Sequence, residues 1–206
     1  MNKLLKKIFK HYNFELEKAV GDCKTLLDVG CGNNSPVGSL SNKPYCVGVD
    51  AFTPSLEKSR ALKIHNEYRQ IDVLDIEKEF KPGSFECVLA NDLIEHLTKE
   101  DGSKLIEMME SIATKRVLIF TPNGFVPQRE YDNNPWQVHK SGWTVEEMKA
   151  RGYKVIGING AKSLRGEFAR SKIKPRALGF VVSRITQIFV RNKPEKAFQI
   201  LCVKTK

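Results

Sequence analysis

Short apolar runs, rich in β-branched residues, alternate with segments of helical period along most of this chain. That alternation restricts the fold more than any other feature, because strands separated by helices assemble into a mostly parallel sheet covered by helices on both faces. Strands are expected at Thr25–Val29, Tyr45–Val49, Tyr68–Ile71, Phe85–Ala90, Arg116–Thr121, Tyr153–Ile158 and Phe198–Val203. Between them, Ser35 and Thr53 each precede a proline, the pairing of an N-cap with a first-turn residue, and Thr144 to Glu147 reads as a capping box closed by Gly152. Leu105, Met108, Met109 and Ile112 recur at i, i+3, i+4 and i+7, an apolar stripe for a helix lying on the sheet, with the methionines as core filler. The 206 residues hold no repeat and no linker, so one α/β domain over 1–206 is expected.

The stretch TLLDVGCGNNSP, Thr25 to Pro36, sets two glycines directly after the first strand, where an open α/β sheet binds its ligand at the carboxyl edge. A dinucleotide fingerprint counted from Gly30 and Gly32 would need glycine where Ser35 stands, and no glycine-lysine-serine/threonine ending exists for a phosphate loop. What remains is the D-x-G-x-G pattern from Asp28 to Gly32, followed by an acid at each of the next two strand ends. Asp50, 18 residues beyond Gly32, suits the hydroxyls of a ribose, and Asp72 the amino group of an adenine.

In these motifs the chain resembles the class I S-adenosylmethionine-dependent methyltransferases, over roughly Thr25 to Ile158 plus the closing strand. LLDVGCGNN looks like the first motif of that family, VGVDAF its ribose-binding acid, IDVLDI its adenine-side acid, and FECVLANDLIEHL its fourth strand with the segment beside the methyl group. The resemblance implies a Rossmann-like sheet of seven strands, the last antiparallel and inserted between the fifth and sixth. It implies S-adenosyl-L-methionine as cofactor and S-adenosyl-L-homocysteine as product. Asp28, Gly30, Cys31, Gly32, Asp50, Ala51, Asp72, Val73 and Asn91 would then bind the cofactor.

Methyl transfer from a sulfonium is an in-line displacement, which asks the protein to align the acceptor and, for a hydroxyl, to take up its proton. Asp92, Glu95 and His96 stand at i, i+3 and i+4, expected on one face of a helical turn, and His139 lies in a loop of ~20 residues after strand five, long enough to expect a function. The asparagine or aspartate, two prolines and an aromatic carried after strand four by many amino-methylating relatives are missing, which favours oxygen acceptors. The Glu-His pair, then TPN and H-K-x-x-W-T, is similar to methyltransferases acting on quinone precursors, bacterial glycans and the terminal ribose of small RNAs. His96, His139 and Glu95 are the expected catalytic set, without a metal. In the RNA group acids and histidines hold a divalent cation; the matching positions are Asp92, Glu95, His96 and His139, with Asp92 shorter than the glutamate usual there. O-methylation of a small-molecule, glycan or lipid-linked acceptor is the leading expectation; an RNA ribose 2'-O-methyltransferase and a non-catalytic cofactor-binding regulator stay open. His11 and His65, set among charges, receive no role.

Charge separates the chain into two parts. From Ala161 to Lys206 there are twelve Lys or Arg against two Glu, a surplus equal to the net +10 of the whole chain. Within it, Leu178, Val181, Val182, Ile185, Ile188 and Phe189 recur at helical spacing beside Arg176, Arg184 and Arg191, forming a basic helical insertion at about 160–196 before the last strand. Leu4, Leu5, Ile8, Phe9 and Tyr12 make a second amphipathic helix at about 1–20. Both are expected to pack on the sheet or cover the cofactor, with peripheral contact to an anionic membrane as the alternative and nucleic acid as the weaker partner. Five scattered cysteines without a C-x-x-C pair argue against zinc and redox chemistry, and no stretch reads as a signal peptide or membrane span. The expected setting is cytoplasmic, at most peripheral at the inner membrane face.

Overall fold

A computed structural model describes residues 11–130 and 134–206. Strands β1 (Thr25–Val29), β2 (Tyr45–Asp50), β3 (Glu67–Gln70), β4 (Phe85–Asn91), β5 (Ala113–Pro122), β6 (Lys154–Ala161) and β7 (Ala197–Thr205) form one sheet in the order β3-β2-β1-β4-β5-β7-β6. β7 runs antiparallel to both of its neighbours, β5 and β6, while β1 to β5 are parallel. Helices α1 (His11–Val20), α2 (Thr53–Ala61), α3 (Ile76–Glu79), α4 (Lys99–Ile112), α5 (Val145–Ala150) and α6 (Arg176–Val190) connect or cover them.

Alternation along the strands divides the core. Leu27, Val29, Val88, Ala90, Val117 and Ile119 point to the side of α4, which answers with Leu105, Ile106, Met109 and Ile112; Thr98 caps that helix by accepting from Asp101 N. Leu26, Cys87, Leu89, Leu118 and Phe120 point the other way, against Leu16 and Val20 of α1. Each large side chain buried in this way contributes about 1.5–3 kcal/mol. Register then sets the site: Val29 is level with Val49 and Ala90, and Pro122 with Gln199, so the chain leaves four strands at one edge.

The far border of the sheet is closed differently. β6 is an edge strand, and α6 covers it through polar contacts. Buried Gln187 accepts from Gly160 N (3.0 Å) and donates to Gly157 O (2.8 Å), and Thr186 Oγ1 accepts from Ala161 N (3.1 Å). Helix and strand meet closely: a β-carbon on Gly157 would stand 2.1 Å from Val190 O. The face of α6 toward the sheet is thus Ser183, Thr186 and Gln187, and the expected packing of its apolar stripe on the sheet is reversed. Edge strands carry unpaired backbone groups, and a side chain able to donate and accept satisfies them where an aliphatic one cannot.

Smaller differences have local causes. Thr53 is the first helical residue of α2 rather than its cap, a position held by Phe52, and Ser35 caps only a single 3-10 turn, Pro36–Ser39. β3 ends before Ile71, so Asp72 stands beyond the strand, where it accepts from Leu74 N and starts another 3-10 turn. The capping box of Thr144 and Glu147 forms as expected. Of the N-terminal apolar set only Tyr12 lies within the described residues; Leu4, Leu5, Ile8 and Phe9 lie outside them.

Candidate active site

A cavity of about 460 Å³ opens at the carboxyl edge, from the loop after β1 to the loop after β5. At its first end Gly30 and Gly32 take left-handed backbone angles (φ 65° and 58°), and a β-carbon on Gly32 would meet nothing within 4 Å. The loop thus presents bare backbone to the cavity. Asp50 holds it in place: one oxygen accepts from Gly32 N and the other from Phe52 N, both at 2.8 Å. Burial raises the Asp50 carboxyl against these two lowering hydrogen bonds, and the charge of Asp28 raises it further. Cys31, Ala51, Asp72, Val73 and Asn91 line the same end.

Asp28 does not line the cavity. It is fully buried beneath the loop, where Oδ2 accepts from Ser35 Oγ and lies 2.8 Å from Nε2 of His65. His65, expected at the surface, is buried, because Gly48 leaves room for its ring. His11 is buried too, 3.8 Å from the carboxylate of Glu15. Spacing alone gave no sign of either burial.

At the second end, Asp92, Glu95 and His96 do not share a helical face. Asp92 is left-handed (φ 48°), its N–H held by Phe120 O, and a 3-10 turn, Ile94–His96, follows. An aspartate tolerates that conformation, so the chain turns at the end of β4 before a helix can begin. Asp92 accepts from Gln199 (3.1 Å) and Asn91 (3.3 Å); its surface faces the cavity, yet the surrounding protein desolvates the carboxyl and lifts it to about 7. Glu95 is buried. Its Oε2 accepts from Thr121 Oγ1 (2.9 Å), its Oε1 meets no hydrogen-bond partner among the described residues, and burial together with the charge of Asp92 holds it well above the usual carboxyl range.

His96 and His139 meet edge to face, ring centroids 4.7 Å apart. Nδ1 of His139 lies 2.6 Å from Val126 O and Nδ1 of His96 lies 3.4 Å from Val138 O. A carbonyl only accepts, so each Nδ1 carries hydrogen and each Nε2 keeps its lone pair. Burial lowers both imidazoles, His96 to about 4 with a further push from the charge of His139. Ligand atoms of Glu95, His96 and His139 lie within 4.8 Å of one another; Asp92 is not in that group.

The loop after β5 carries His139 and is tied at both feet. Gly124 N donates to Trp143 O (2.8 Å), while Lys140 N and Ser141 N both donate to Glu95 O. Fully buried Trp143 donates to Ile94 O and Ser141 Oγ, with Lys99 3.8 Å above its ring. Between the feet, Val126, Gln128, Asn134, Trp136 and Gln137 line the cavity. Phe198 and Gln199 of β7 and Ala169 of the insertion also line it, and sequence reasoning missed them. Their only signal is the return of β7 beside β5, which no local motif carries.

A family model described as a methyltransferase domain matches residues 27–120. No curated protein sequence matches the chain. Among solved structures, an S-adenosylmethionine-dependent methyltransferase from Archaeoglobus fulgidus aligns over 98% of both chains at 15% identity, TM-score 0.60. A small RNA methyltransferase aligns over 94% of this chain and 24% of its own, at 16% identity and TM-score 0.60. Magnesium protoporphyrin IX methyltransferase from Synechocystis PCC 6803, with bound S-adenosylmethionine, aligns over 100% and 85% at 14% identity, TM-score 0.53. Residues 27–120 therefore match a methyltransferase domain, and the chain has the fold of the class I S-adenosylmethionine-dependent methyltransferases with which it aligns.

Proposed function

We propose that the protein transfers the methyl group of S-adenosylmethionine to a hydroxyl of a small-molecule or glycan acceptor, with His96 as the proton acceptor. The observation that supports this most is the pair of neutral imidazoles at one end of the cavity, whose other end holds the glycine loop and Asp50. In this reading Gly30, Cys31 and Gly32 lie along the cofactor, Asp50 accepts from its ribose, and Ala51, Asp72, Val73 and Asn91 surround the base and the methionine part. Asp28 acts through Ser35, fixing the loop without touching cofactor. The hydroxyl oxygen attacks the methyl carbon as the carbon–sulfur bond breaks, and its proton passes to Nε2 of His96. Glu95, kept protonated by burial, and His139 orient the acceptor.

A divalent cation would fit Glu95, His96 and His139, since their ligand atoms lie within 4.8 Å of one another and Glu95 Oε1 has no hydrogen-bond partner among the described residues. It would acidify the hydroxyl. The metal-free reading is preferred because Asp92 stands apart and burial already disfavours the carboxylate form of Glu95.

Incubation with methyl-labelled cofactor and separated glycan, lipid and RNA extracts tests the acceptor class; label in RNA alone would overturn it. His96→Ala should lower turnover by about 100-fold or more with cofactor affinity retained, unaffected by chelator. With His96 lowered to about 4, the acid limb of kcat should fall well below 6.5. Asp50→Ala should weaken cofactor binding by roughly 1.5–3 kcal/mol in calorimetry.

A further inference from the structure

α6 turns its apolar stripe away from the protein. Leu178, Phe180, Val181, Ile185, Ile188 and Phe189 are between 49% and 69% exposed, while Gln187 is buried against the edge strand. Leu178, Val181, Ile185, Ile188 and Phe189 share one helical face, with Phe180 to its side, and so many large apolar side chains on one short helix are rarely left uncovered in water. The charge around the patch indicates what covers it. Arg170, Lys172 and Lys174 precede the helix and Lys193 and Lys196 follow it, all exposed, and among the described residues none of them pairs with a carboxylate. Arg184 lies 4.8 Å over the Phe180 ring, at the border between the apolar and basic zones. Glu195 is already engaged by Lys149 at 2.7 Å.

A second copy of the chain would bring the same cations against these, and like charges oppose such pairing. A nucleic acid would meet the cations and two stacking rings, Phe180 and Phe189, but would leave Leu178, Val181, Ile185 and Ile188 facing water. An anionic bilayer meets both: lysine and arginine reach the headgroups while aliphatic and aromatic side chains enter the acyl boundary. We propose that α6 lies in the plane of an anionic membrane surface, its outward stripe buried among the lipids and its flanking cations on their headgroups. At 15 residues it is too short to span, and no described helix is long and apolar enough to cross. Ala169, seven residues before the helix, lines the cavity, so the insertion that seats on lipid also forms part of the wall the acceptor meets. The proposal does not depend on which acceptor is methylated.

Sedimentation with vesicles of phosphatidylcholine, alone and mixed with phosphatidylglycerol, tests it on the full chain. The protein should partition onto the mixed vesicles and not the neutral ones, and the double variant Ile185→Glu with Phe189→Glu should lose roughly tenfold or more of that partition. Unchanged cofactor affinity of the variant, read by calorimetry, reports an intact fold, because neither side chain touches the site. Wild-type protein that ignores the mixed vesicles at low salt overturns the proposal, as does a double variant that binds like wild type. A wild-type dimer in sedimentation velocity that the double variant splits, without vesicle binding, assigns the face to a second copy and overturns it equally. Binding to single-stranded RNA but not to vesicles overturns it in favour of nucleic acid.

Discussion

α4 and α6 are close in length, 14 and 15 residues, and both repeat apolar residues at helical spacing, yet they meet the sheet with opposite faces. α4 crosses the middle of the sheet, where β4 and β5 offer Val88, Ala90, Val117 and Ile119, and its apolar stripe goes in. α6 lies along β6, where two glycines and unsatisfied backbone groups are what the sheet offers, and its polar stripe goes in. Periodicity establishes that a stripe exists; the surface it meets decides which stripe is buried. The energies differ in kind: side-chain burial of about 1.5–3 kcal/mol per residue holds α4, and hydrogen bonds of about 0.5–1.5 kcal/mol net each hold α6.

Three substitutions sharpen or break this contrast. Leu105→Ala, in the fully buried face of α4, should cost about 3–5 kcal/mol in denaturant unfolding, because it removes transfer energy and leaves a cavity. Gln187→Ala should cost about 1–3 kcal/mol, since Gly160 N–H and Gly157 C=O lose their partner, and hydrogen exchange should quicken first at the Gly160 amide. Ile185→Ala, on the outward stripe, should stay within about 0.5 kcal/mol of wild type in the absence of lipid. A cost at Ile185 approaching that at Leu105 would mean that α6 packs by its apolar face after all, and the contrast would fail.

The legible parts of the molecule are those where a residue acts on its own neighbours in sequence. Thr144 and Glu147 close their capping box within four residues, and the glycine loop needs only its own backbone. The strand pattern carried the sheet for the same reason. Partnerships across the chain left no local trace: Asp28 reads as a ligand residue by position, and only the fold reveals that His65 and Ser35 occupy it. The helical turn expected from Asp92 to His96 failed because the Asp92 amide continues the pairing of β4 with β5. Arg191 reads as one more surface cation, yet it bonds Glu15 of α1 at 2.7 and 2.9 Å, so its charge is spent inside the protein. Burial alone would raise Glu15; the hydrogen bonds and charge of Arg191 lower it instead.

The anchoring of the loop after β5 bears on how such a protein can diversify. Because Gly124 and Ser141 are fastened to Trp143 and to the turn that carries Glu95 and His96, side chains of the span between them other than His139 can be exchanged without moving that turn. Val126, Gln128, Trp136 and Gln137 line the cavity from that span, so new acceptors can be admitted by substitution there while the proton acceptor stays in register. Substrate range is thereby carried on a different stretch of chain from the proton acceptor His96, and a descendant that keeps His139 can alter the first at little risk to the second.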